Sequence, residues 1–139
     1  MAALVLAGRI LFVLLFLSSG VNHLTRTQQM AGYTESRGVP AARIAVLASG
    51  ALLLVGSVFV VLGIWPDLGA LLLAAFLAPT AVLMHGFWKE RDSMGRQQEQ
   101  VHFLKDTALF GACLMLIAFF AHTGHQLGLT VTGPLFHLD

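Results

Sequence analysis

His102 and Asp106 stand four residues apart, the spacing that places two side chains on one helix face. A carboxylate so placed orients an imidazole and holds a proton on it. Lys105 lies between them, and Cys113 follows seven residues after Asp106 on roughly the same face. His23 and His85 each close an apolar run. If those runs are helices of alternating direction, His23, His85, His102, Lys105 and Asp106 gather at one membrane face. They then form a polar pocket suited to hydrogen-bonding a quinone head group or passing a proton. The competing reading is a headgroup boundary, where polar side chains reach out to water.

Arg9 is a different case, a charge about a third of the way into the first apolar run. Arg9, Phe12, Phe16, Ser19 and His23 keep helical spacing, so Arg9 is expected to face the other helices. Its natural partner is Asp67, in a short turn on the same side of the membrane, as a structural charge pair. His122 and His125 are three apart, with His137 beyond. Two such ligands without a carboxylate or thiolate make a poor metal site, and we expect neither a bound metal nor haem. Cys113 reads as a small core filler rather than a redox thiol.

These residues are positioned by very apolar elements. The chain has 139 residues, 57% of them hydrophobic and 11% charged, against about 25% charged in a soluble domain. Mean hydropathy is +0.80. That excludes an ordinary water-soluble domain, and a net charge of +1 excludes a broad nucleic-acid-binding face. One cysteine excludes a disulfide scaffold. Four apolar runs, at about 2–21, 45–64, 68–87 and 101–121, reach the roughly 18 residues that span a bilayer core. Backbone groups in lipid must be satisfied internally, so each run is expected to be a helix. The expected fold is all-α: an integral membrane four-helix antiparallel bundle, one domain over 1–139 with a polar tail from 122. The first run lacks a basic stretch before its apolar core, so we expect an uncleaved helix rather than a signal peptide.

The loops at 22–44 and 88–100 fall on one side. Seven of the eight Lys and Arg residues accompany them: Arg26, Arg37, Arg43, Lys89, Arg91, Arg96 and Lys105. The positive-inside rule then places both termini outside and the long loops in the cytoplasm. Small residues are the expected helix seams: Ala70, Ala74 and Ala78 in the third helix, Ala108, Gly111 and Ala112 in the fourth, and Ala45, Ser49 and Gly56-Ser57 in the second. Pro79 is expected to kink the third helix.

The stretch Gly8-Arg9-Ile10, followed by Phe16-Leu17-Ser18-Ser19-Gly20-Val21-Asn22-His23-Leu24, resembles the first-helix motif of the DoxX family. Gly38-Val39-Pro40 is similar to that family's entry to the second helix, where Gly56 and Gly63 also fit. His85-Gly86-Phe87-Trp88 and His102-Phe103-Leu104-Lys105-Asp106 resemble its signature around the third and fourth helices. The resemblance covers about residues 8–120. Departures are His23 where the family usually has Lys, Asp106 where it has Asn, and no Glu near Leu53. The resemblance implies a small multi-pass protein of the bacterial plasma membrane, associated with redox partners. Relatives are linked to quinone-reducing thiosulfate oxidation and to membrane-associated thiol and superoxide defence.

The function expected from these readings is an accessory membrane subunit of a redox or respiratory complex, with lipid and other subunits as partners. It is not expected to be catalytic alone. One alternative is a quinone-interacting oxidoreductase subunit using the polar pocket. The other is a small transporter or channel, for which the near-apolar midplane offers little beyond Pro79-Thr80. No tightly bound cofactor is expected, and a quinone is the candidate ligand.

Overall fold

A computed structural model describes residues 1–137. Five α-helices form, in the order α1 (Ala2–Thr25), α2 (Thr27–Ser36), α3 (Ala42–Leu62), α4 (Pro66–Leu83) and α5 (Ser93–Thr123). Four of them, α1, α3, α4 and α5, are long and apolar enough to cross a membrane. The expected all-α membrane bundle is the observed fold.

Two elements differ from the sequence expectation. The loop at 22–44 contains α2, which follows α1 after the single residue Arg26. Helix α5 begins at Ser93 rather than near 101. Asp92 explains that start: its carboxylate accepts the backbone N–H of Gly95 at 2.7 Å, the bond an N-cap supplies. The first two turns of α5 are polar, so a search for apolar runs passes over them.

Close packing runs through glycine. A Cβ on Gly69 of α4 would lie 2.7 Å from Phe59 Cβ and 2.8 Å from the Gly56 carbonyl of α3. Gly20 of α1 and Gly50 of α3 meet in the same manner: a Cβ on Gly20 would lie 2.8 Å from a Leu54 side-chain carbon, and one on Gly50 2.8 Å from His23 Cβ. Lipid gives no hydrophobic drive between helices, so such approach, with its van der Waals contact, holds them together. The expected seams are partly present. Ala70 and Ala74 are buried, but Ala78 and Ala108 are exposed, and a Cβ on Gly111 would meet open space.

Backbones approach closely from α1 to α3, α3 to α4 and α4 to α5. Large side chains, among them Phe16, Leu53, Leu73 and Leu77, fill the centre with Cys113.

The chain beyond α5 folds back over the α3–α4 turn. Leu62 O accepts from Val131 N–H and Gly63 O from Thr132 N–H, while Trp65 N–H donates to Gly133 O. Gly63 and Gly133 have φ of +66° and +78°, conformations that cost glycine little. This strap and the start of α1 lie at one end of the bundle; α2 lies at the other.

Candidate functional site

At the α2 end, α1, α3, α4 and α5 line a half-open cavity of about 660 Å³ that α2 borders. Leu15, Phe16, Leu52, Phe76 and Leu83 give it apolar walls, while Met30 and Tyr33 of α2 lie over it. Pro79 and Thr80 also line it. The Thr80 hydroxyl turns back on its own helix and donates to Phe76 O at 2.7 Å.

Four of the five residues singled out for a polar pocket, His23, His85, Lys105 and Asp106, line this cavity. His23 is buried; its Nδ1 lies 2.8 Å from Ser49 Oγ and 3.2 Å from Val46 O, and its ring meets Phe76 edge-on. His85 follows the last turn of α4. Its Nε2 is 3.7 Å from Asp106 Oδ2, and Lys105 Nζ is 3.3 Å from Asp106 Oδ1. Asp106 is 4% exposed.

His102 lies outside the cavity lining and stacks on His85, with ring centroids 5.0 Å apart. The helix-face pair expected of His102 and Asp106 is therefore replaced by His85 and Asp106, which reach each other from α4 and α5.

Sequence reasoning missed the outer half of the cluster. His85 Nδ1 lies 2.8 Å from Glu99 Oε2. Arg37, at the end of α2, reaches Glu99 Oε1 at 2.9 Å and Glu90 Oε1 at 2.7 Å. The Tyr33 hydroxyl accepts from Arg37 Nε at 3.1 Å and donates to Glu99 at 3.4 Å. Burial alone would lower the Arg37 guanidinium, but the Glu90 hydrogen bond, then Tyr33 and the Glu99 charge, hold it above its ordinary value. One signal for Glu99 was present: it stands three before His102 and seven before Asp106, along one helix face. No local spacing reveals Arg37.

Arg9 and Asp67 are both buried, but they do not pair. Asp67 accepts the backbone N–H of Leu135 at 2.9 and 3.0 Å, and that of Phe136. The Arg9 guanidinium donates through Nη2 to Leu129 O at 2.6 Å. Its Nε and Nη1 meet no hydrogen-bond partner among the described residues. The expected charge pair is corrected to two separate clasps on the C-terminal strap. The strap supplies free backbone groups: two N–H donors for the Asp67 carboxylate and one carbonyl for Arg9 Nη2.

The rings of His125 and His137 stand 6.4 Å apart. Among the described residues, no group of three or more His, Cys, Asp and Glu side chains is placed to hold a metal.

No curated protein and no solved structure matches the chain. The DoxX family model matches residues 4–86, from α1 through the end of α4, including His23 and His85. That match spans more than half of the sequence, and the chain belongs to the DoxX family.

Proposed function

We propose that this protein is an accessory membrane subunit of a redox complex, and that its cavity receives the head group of a lipid-soluble quinone. One observation carries the reading: the cavity of about 660 Å³ collects His23, His85, Lys105 and Asp106 on mostly apolar walls. Ligand sites for small organic molecules are of this size and kind, apolar with a few convergent polar groups. A quinone has two carbonyl acceptors on a flat apolar ring, and it supplies two-electron, two-proton redox chemistry when bound. Lys105 offers ammonium donors and His85 a donor when its Nε2 carries a proton, while Phe16 and Phe76 offer flat apolar surface. The accessory role rests on the family.

The test is saturable binding of a short-chain naphthoquinone to the full chain in lipid nanodiscs, compared with Ala75→Phe. Ala75 lines the cavity and is exposed to it, so a phenyl ring there occupies ligand space. Binding in the wild type and its loss in Ala75→Phe are expected. Equal, non-saturable partition into both would contradict the reading.

A further inference from the structure

His85 is held between two carboxylates, one outside the cavity and one inside it. Its Nδ1 is 2.8 Å from Glu99 Oε2; an ionised carboxylate only accepts, so Nδ1 carries the hydrogen of that bond. Glu99 is itself fixed by Arg37 at 2.9 Å and by the Tyr33 hydroxyl. With Nδ1–H committed outward, Nε2 is left facing Asp106 Oδ2 at 3.7 Å. Two bare acceptors opposed across that gap repel, and a proton on Nε2 replaces the repulsion with an ion pair. Lys105 occupies the other oxygen, Oδ1, His102 covers one face of the imidazole, and Glu90 lies beyond Arg37.

We infer that His85 Nε2 holds one exchangeable proton against Asp106 and delivers it to a ligand head group in the cavity, with Glu99 as the positioning residue that sets the His85 tautomer. The inference rests on the quinone reading of the cavity. His85 and Asp106 line the cavity and Glu99 does not, so the route runs from the polar loops inward. The pair gives its proton to a head-group oxygen and leaves Nε2 and Oδ2 bare. Water at the exposed edge of His85 reloads Nε2, and a second proton follows the same route. Two protons by this path and two electrons from a redox partner subunit balance the reduction of a quinone to its quinol.

The test has two arms on the full chain in nanodiscs. Nitrogen-15 NMR of labelled histidine, assigned with His85→Gln, reads the tautomer without any ligand. His85 is expected to carry hydrogen on Nδ1 in the wild type and to lose that preference in Glu99→Gln, whose amide donates as well as accepts. A bare Nδ1 in the wild type, or an unchanged spectrum in Glu99→Gln, overturns the inference. In the second arm a bound naphthoquinone is reduced by a soluble flavin photoreductant while a dye follows proton uptake. Glu99→Gln is expected to slow uptake about 10²-fold, the scale of a positioned proton donor, with Glu99→Asp intermediate. Uptake at the wild-type rate in Glu99→Gln also overturns it. If Glu99→Gln does not insert, Glu99→Asp gives the same comparison with a smaller slowing. A naphthoquinone that never binds the wild type instead overturns the cavity reading, while the tautomer result stands by itself.

Discussion

The carboxylate of Asp67, at the start of α4, accepts the backbone N–H of Leu135 with both oxygens, at 2.9 and 3.0 Å. Those residues are 68 apart in sequence. A buried acid thereby closes the C-terminal strap over the α3–α4 turn.

Asp67→Ala is expected to release the strap. Hydrogen bonds to a charged group contribute about 1.5–3 kcal/mol each, and loss of the acceptor leaves buried donors unpaired. Limited proteolysis should then cut within residues 127–137 much faster than in wild type, with α1–α5 intact. A strap equally resistant in the variant would argue against the clasp.

Gly69→Ala is expected to destabilise the bundle by about 1–3 kcal/mol, the usual cost of overpacking. The added methyl would meet Phe59 Cβ at 2.7 Å and the Gly56 carbonyl at 2.8 Å, and backbone cannot step aside as a side chain can. Thermal unfolding in detergent measures this. Gly111→Ala, where nothing lies within 4 Å, is the control and should leave the midpoint near wild type.

Arg37→Gln is expected to loosen α2. It removes the ion pairs to Glu90 and Glu99, the polar ties from the end of α2 to the segment around α5. Amide hydrogen exchange across residues 27–36 should quicken about tenfold, the equivalent of one charge-assisted hydrogen bond. Exchange unchanged in that segment would show that packing on α3 holds α2 without the ion pairs.

The membrane elements were readable because lipid imposes a strong rule: a spanning helix must be long and apolar, and α1, α3 and α4 announce themselves that way. Helix α2 obeys no such rule. Thr27–Ser36 is polar, and its place is fixed by Arg37 reaching Glu90 and Glu99 across more than fifty residues. The site was half legible for the same reason. His23, His85, Lys105 and Asp106 stood out as polar groups at the ends of apolar runs. Glu99 lay in a stretch that reads as a solvated loop, although Asp92 four residues after the Phe87-Trp88 turn was a usable cap signal. The Arg9–Asp67 pairing went wrong because opposite charges were matched by depth alone. The unpatterned tail offered no sign that its backbone would take both partners.

The basic residues at the α2 end support the proposal that this end faces the cytoplasm. A phosphatase fused after Asp139 is expected to be active, and a fluorescent protein fused there to be dark, because the positive-inside bias places that end of the chain outside. The reverse pattern would turn the cavity toward the outer face.

Photo-affinity labelling tests the central claim most directly. An azido-naphthoquinone, irradiated with the full chain in nanodiscs, is expected to label peptides from the cavity ends of α1, α4 and α5 around His23, Thr80 and Asp106. Excess unmodified quinone should suppress that labelling. Adducts spread along lipid-facing residues such as Leu11, Leu71 and Met115, insensitive to competitor, would contradict the account.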